Sequence, residues 1–194
     1  MSGEWNRLWQ QKLNPFGLKL LEDAEKTALR MMVRNLDDNA SILDVGCGTG
    51  RSLAKIFGLF KDAKGVDYSD VSVQLCKEKG LNVSLEDARN LPLKDDSVDL
   101  VFSEGLLEHY GDMEPLVKEM CRVSKKYVLL VQPNLDSKAR KVRDLYWRVT
   151  GRLYAEELPY KVVDYVAMFR KFGFDVAEAD NTILFHVLLF KVRV

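Results

Sequence analysis

The 194-residue chain has the length of one domain and enough surface to bury a full core. Its apolar share of 47% and charged share of 30% are those of an ordinary globular protein, and 29 basic against 29 acidic residues leave no global field to draw it toward nucleic acid or acidic membranes. Three cysteines and two histidines, all far apart, fit neither a disulfide framework nor a zinc or histidine metal cluster. No metal site is expected. With no signal-like start and no apolar run near the ~18 residues of a membrane span, a cytoplasmic chain without a transmembrane segment is expected.

Residues 1–36 precede the first strand. Trp5 and Trp9 stand one helical turn apart, and Asn14-Pro15 breaks that pattern. Leu21, Ala24, Ala28, Met32 and Leu36 then recur at helical spacing, so two helices are expected, the second packed on a sheet. The tryptophans read either as a flap over a site or, the commoner use, as anchors covering a sheet edge.

Ser41-Ile42-Leu43-Asp44-Val45 is an apolar, β-branched run that turns into Gly46-Cys47-Gly48-Thr49-Gly50, with a helical pattern from Arg51. A strand, a glycine turn and a helix in that order make the nucleotide site of doubly wound α/β folds. The spacing rules out two versions of it. A dinucleotide fingerprint needs glycine where Arg51 stands, and a phosphate loop needs Gly-Lys where Arg51-Ser52 stands.

The helix from Arg51 to Phe60 should bury Leu53, Ile56, Phe57 and Phe60. Lys64 to Ser69 reads as a strand ending in an acid. Asp67 lies 21 residues after Gly46, close to the spacing that sets a carboxylate on two vicinal ribose hydroxyls. Its structural alternative is a helix N-cap, for which Ser69 or Asp70 is better placed. The helix from Asp70 to Lys79 stops at Gly80. Leu81 to Leu85 alternates as a strand and runs into Glu86-Asp87-Ala88. After the loop Leu91-Pro92-Leu93, a fourth strand leads to Ser103-Glu104-Gly105-Leu106-Leu107-Glu108-His109-Tyr110.

Asp44-x-Gly46-x-Gly48-x-Gly50, Asp67, Asp87 and the stretch from Leu91-Pro92 to Leu107-Glu108-His109 together resemble class I S-adenosylmethionine-dependent methyltransferases, in the small-molecule branch called type 11. The resemblance runs over residues 41–133. It implies a single domain over 1–194 with a Rossmann-like, doubly wound sheet of seven mostly parallel strands, an antiparallel C-terminal strand and helices on both faces. It implies cofactor contacts at Asp44, Gly46, Cys47, Gly48 and Gly50, at Asp67, Tyr68 and Ser69, at Asp87 and Ala88, and at Ser103 and Glu104. Asp44 would meet the cofactor's ammonium, directly or through water, and Asp87 the adenine amino group. His109 is the candidate general base where the acceptor must lose a proton, with Glu104, Glu108 and Tyr110 behind it. Glu108 and His109 otherwise orient the turn after strand four.

Glu114 to Val123 is helical, with Leu116, Val117, Met120 and Val123 on one face, and Tyr127 to Val131 is a buried strand. In the family an insertion about 134–160 forms a lid over the acceptor. Here Lys138–Arg152 carries six Lys/Arg, either the solvated face of a packed helix or a surface for an anionic acceptor, RNA or anionic lipid. Lys161 to Phe172 is a helix stopped by Gly173, and Phe174–Glu178 and Ile183–Val194 form an antiparallel pair joined near Asp180-Asn181. His186 in the last strand reads as a satisfied core or edge histidine.

The expected activity is methyl transfer to a small molecule by in-line displacement. Base-amino methyltransferases carry Asn/Asp-Pro-Pro-Tyr where Ser103-Glu104-Gly105-Leu106 stands, and cytosine C5 enzymes need a nucleophilic cysteine, whereas Cys121 falls inside a helix. DNA is therefore not expected. An RNA or protein methyltransferase docking through 138–152, and a non-catalytic S-adenosylmethionine-binding protein, are the alternative classes.

Overall fold

Strands buried on both faces read as continuous apolar runs, and that is how the centre of this sheet is built. The computed structural model describes residues 5–6, 15–135, 137, 149 and 157–193, with the side chains of 15–20 excepted. Its elements are α1 (Pro15–Asn35), β1 (Ser41–Val45), α2 (Arg51–Leu59), β2 (Asp62–Asp67), α3 (Asp70–Glu78), β3 (Val83–Leu85), β4 (Val98–Glu104), a 3₁₀ turn (Leu107–His109), α4 (Glu114–Val123), β5 (Ser124–Pro133), α5 (Val162–Lys171), β6 (Phe174–Asn181) and β7 (Phe185–Val192). The seven strands form one sheet in the order β3-β2-β1-β4-β5-β7-β6. β7 runs antiparallel to both its neighbours, β5 and β6, and the other pairings are parallel.

The period of two along each strand divides the core into two layers. Ile42, Leu100, Phe102, Leu129, Val131, Val187 and Leu189 face Ala24, Ala28, Met32, Leu53 and Ile56 of α1 and α2. Leu43, Val45, Val101, Val128, Leu130, Leu188 and Phe190 face Leu116, Val117 and Met120 of α4 and Tyr165 and Phe169 of α5. The helical spacing read for α1 thus marks its buried stripe. Glu119 and Arg122 of α4 hold the loop before β4: Leu91 N–H donates to Glu119 Oε2 at 2.9 Å, and Arg122 donates to the carbonyls of Leu91 and Leu93.

Several boundaries depart from the sequence reading. Phe57 is 39% exposed, because α2 offers the sheet only the stripe through Leu53 and Ile56. β3 has three residues, since only Val83, Ser84 and Leu85 pair with β2. β5 extends through Pro133 because β7 pairs with it from Tyr127, opposite Lys191, to Pro133, opposite Phe185. The β6–β7 turn lies at 182–184, where Thr182 and Phe185 exchange hydrogen bonds. His186 sits in β7 with Nδ1 on Asn181 Oδ1 across the β6–β7 pairing. The basic helix and most of the lid expected at 134–160 fall outside the described residues. Among those described, no helix is long and apolar enough to cross a membrane.

Candidate functional site

Strand order reverses between β1 and β4, and in an open α/β sheet the crevice at the carboxyl ends of such strands is where a ligand fits. β1 ends at Val45 and the chain turns through Gly46, Gly48 and Gly50, with φ of 76°, 52° and 74°. All three lie in the left-handed region that side chains disfavour. Space matters too: a Cβ at Gly46 would stand 3.0 Å from Leu106 Cδ1, and one at Gly50 2.5 Å from Leu81 Cδ1 and 2.8 Å from Cys76 Sγ.

Asp67, at the end of β2, fastens this loop. Its Oδ2 accepts from Gly48 N–H at 2.7 Å and its Oδ1 from Ser69 N–H at 2.8 Å. Burial pushes this carboxyl up, against the pull of the two amides. Each oxygen can still accept from a hydroxyl. Ser69, not Asp67, caps α3, its Oγ accepting from Ser72 N–H at 3.1 Å. Ser69 Oγ also donates to Asn6 Oδ1 at 2.6 Å, and Asn6 Nδ2 donates to Asp70 Oδ1 at 2.7 Å.

A cleft opens beside the loop. Gly46, Asp67, Tyr68, Glu86, Asp87, Ala88, Arg89, Glu104, Gly105, Leu106, Tyr110 and Trp5 line it. Trp5 therefore stands over the crevice, where the commoner use of such a residue would set it on a sheet edge. Asp87 receives the Arg89 guanidinium on both oxygens, at 2.7 to 3.1 Å, which holds its carboxyl below the usual range. Cys47 and Ser103 turn their side chains inward. Cys47 Sγ would be 2.9 Å from a Cβ at Gly65, and Ser103 Oγ donates to Val45 O at 2.9 Å. Only their main chains remain to meet a ligand. His109 does not line the cleft; it packs edge-to-face on Trp5 at 4.9 Å, with Nε2 3.8 Å from Glu108 Oε1. Tyr110 is the neighbour that does, and burial pushes its phenol up.

Behind the cleft is a set of charges that no spacing in the sequence announced. Glu25 of α1, 2% exposed, binds Arg51 Nη1 at 2.8 Å and Lys55 Nζ at 2.6 Å. Arg51 Nη2 also binds Glu104 Oε2 at 3.0 Å. Ser52 Oγ lies between the two acids, 2.6 Å from Glu25 Oε1 and 2.7 Å from Glu104 Oε2. Burial raises Glu104 to about 7, with Arg51 opposing. Asp44 is held well above the carboxylate range, first by burial, then by the nearby charges of Glu104 and Asp67. Asp44 Oδ2 and Glu104 Oε1 are both shut off from water and lack a hydrogen-bond partner among the described residues. Two such oxygens near one cleft suit a cationic group, which the ammonium of S-adenosylmethionine is. The residues present fit that cofactor. No cluster of three His, Cys, Asp or Glu suited to a metal occurs among the described residues.

Comparison with known proteins bears on the chain's family and fold. Residues 43–131 match the family model described as "Methyltransferase domain". Over 95 residues the chain is 38% identical to Norajmaline N-methyltransferase of Rauvolfia serpentina, covering 43% of this chain and 32% of that protein. Over 101 residues it is 30% identical to "Probable tRNA methyltransferase 9B" of Mus musculus, covering 49% and 22%. The chain thus spans less than a third of the length of either relative. Among solved structures, magnesium protoporphyrin IX methyltransferase from Synechocystis PCC 6803 with bound SAH superposes with a TM-score of 0.73 at 16% identity, over 98% of this chain and 94% of that one, which is a likeness of fold. Residues 43–131 thus match a methyltransferase domain, and the seven-stranded sheet around them has the fold of a solved methyltransferase.

Proposed function

We propose that this protein transfers a methyl group from S-adenosylmethionine to a small-molecule acceptor in the cleft at the carboxyl ends of β1, β2 and β4. The observation that carries the reading is the glycine loop fastened to Asp67 beside two partnerless carboxyl oxygens. When bound, the cofactor supplies a methyl already made electrophilic by its sulfonium. The chain's own task is to hold, orient and keep water out, and orientation alone lowers such a barrier by roughly 7–11 kcal/mol.

Asp67 takes the ribose hydroxyls and Asp87, oriented by Arg89, the adenine amino group, with Tyr68 and Ala88 beside it. Trp5, Leu106 and Tyr110 make the acceptor wall. That wall is braced by the chain returning at 157–160: Leu158 N–H donates to Glu108 O at 2.8 Å, and the Tyr160 hydroxyl reaches the carbonyls of Tyr110 and Gly111 at 2.9 and 2.8 Å. An apolar, aromatic wall of this size supports an acceptor with a planar or apolar body. Tyr110 keeps its proton at neutral pH and serves as a donor to the acceptor. His109 stands behind Trp5 and outside the cleft, so it reaches an acceptor as a base only with Trp5 displaced. His109→Ala leaves cofactor affinity within about threefold while reducing transfer to acceptors that must lose a proton.

A second reading, RNA as acceptor, draws on the tRNA methyltransferase named among the relatives and on the six Lys/Arg of 138–152. One experiment separates the two. Incubated with methyl-labelled S-adenosylmethionine and either a small-molecule extract or total tRNA, the protein is expected to label the first. Label in tRNA alone, weakening steeply with salt, would replace the small-molecule reading.

A further inference from the structure

We propose that Glu104, and not Asp44, is the carboxylate that receives the α-ammonium of the cofactor, and that Arg51 and Ser52, backed by Glu25, are the positioning residues that reserve its Oε1 for that cation. The proposal rests on the cofactor reading above and deepens it.

Geometry separates the two acids. Glu104 lines the cleft and Asp44 does not. Glu104 uses one oxygen for the protein, Oε2 accepting from Arg51 Nη2 at 3.0 Å and standing 2.7 Å from Ser52 Oγ, while Oε1 has no partner among the described residues. A carboxyl tied by one oxygen with the other left over is set up for one more donor. Arg51 is divided between Glu104 Oε2 and the buried Glu25.

Proton counting on the same atoms gives the consequence. Ser52 has one hydroxyl proton yet lies within hydrogen-bond distance of both Glu25 and Glu104. The row of three oxygens therefore needs a second proton, carried by one of the two carboxyls. Glu25 has two cations, Arg51 and Lys55, and Glu104 has only a share of one. The proton resides on Glu104. The groups facing Glu104 are Arg51, Ser52 and Lys55 from α2, Glu25 from α1 and Asp44 from β1; burial raises Glu104 to about 7, Glu25 adding to it and Arg51, Ser52 and Lys55 opposing. Asp44, raised first by burial and then by the charges of Glu104 and Asp67, lies beneath the cleft and does not take the ammonium. An arriving ammonium replaces the Glu104 proton, which leaves to solvent, so cofactor binding strengthens as pH rises toward and through 7.

The test is calorimetric titration of the full chain between pH 5.5 and 8.5. The two ligands are S-adenosylhomocysteine and 5′-methylthioadenosine, a nucleoside thioether that lacks the amino-acid end. For the first, Kd should rise about tenfold per pH unit below 7, as one linked proton requires; for the second it should stay flat. Glu104→Gln should remove the slope and bring the homocysteine ligand's Kd close to that of methylthioadenosine, whose unchanged binding reports an intact nucleoside half. Asp44→Asn should keep the slope. Arg51→Met, which takes away the cation that holds Glu104 down, should move the break to higher pH and keep binding at pH 8.5. A slope that survives Glu104→Gln, disappears in Asp44→Asn, or does not move in Arg51→Met overturns the assignment. Failure of both ligands to bind wild type at any pH would instead overturn the cofactor reading beneath it.

Discussion

At the scale of single residues, the proposed site is made by side chains that also hold the fold together. Asp67 shows this most directly, since it closes the glycine loop onto β2 and still presents both oxygens. Replacing it with Ala removes two amide bonds to a charged acceptor, each worth about 1.5–3 kcal/mol. Asp67→Ala is therefore expected to weaken S-adenosylhomocysteine binding by about 100-fold or more in calorimetry. A loss under tenfold would show that neither the loop nor the ribose depends on this carboxyl. Trp5 shows the limit of spacing as a guide. Its helical relation to Trp9 is compatible with a sheet edge or a flap, and the hydrogen bonds of its neighbour Asn6 to Ser69 and Asp70 set it over the cleft.

At the scale of elements, the glycine loop is the joint where β1, α2 and α3 meet. Gly50 precedes α2 at φ 74°, and its missing Cβ makes room for Leu81 and Cys76 at the far end of α3. Cys76 Sγ in turn donates to Gly48 O at 3.3 Å, and Lys79 Nζ to Thr49 O at 2.6 Å. Gly50→Ala meets both backbone strain and overpacking, and should cost about 2–4 kcal/mol, read as a lower urea midpoint. A cost under 1 kcal/mol would mean the α3 end yields freely and the loop is not rigidly supported. Helix α1 belongs to the same joint. Besides filling the sheet's face with Ala24, Ala28 and Met32, it delivers Glu25 to Arg51 and so reaches the cleft through α2.

For the molecule as a whole, the raised Glu104 gives stability a definite dependence on pH. Its native value of about 7 lies above the ordinary 4.5. Between these two pH values the native state holds a proton that the unfolded chain has lost, so this contribution is full below about 4.5 and disappears as pH rises through 7. The shift corresponds to a loss on the order of 3 kcal/mol. Asp87, Asp99 and Glu119, all lowered, work in the opposite sense, and their contribution is lost only as pH falls below the ordinary carboxylate range. Urea unfolding of wild type at pH 5 and 7.5 should therefore show a larger drop than Glu104→Gln does. Equal drops in the two proteins would place the buried proton elsewhere.

The order of elements, the glycine turn and the acids Asp44 in β1, Asp67 at the end of β2 and Asp87 after β3 were legible in the chain alone. These are local matters: apolar alternation, left-handed positions that need glycine, and a carboxylate one crossover after the turn all act within a few residues or one βαβ unit. Ser69 as the cap of α3 was legible for the same reason. Where β5 ends was not, because its last residues become strand only by pairing with β7. Nor was the Glu25–Arg51–Ser52–Glu104 set, whose two acids lie 27 and 52 residues from Ser52. Charge pairing across such distances leaves no periodicity in the chain. Only the packing of α1 and β4 against α2 puts those groups within hydrogen-bond reach, and that contact decides which acid faces the cleft and which is sealed beneath it.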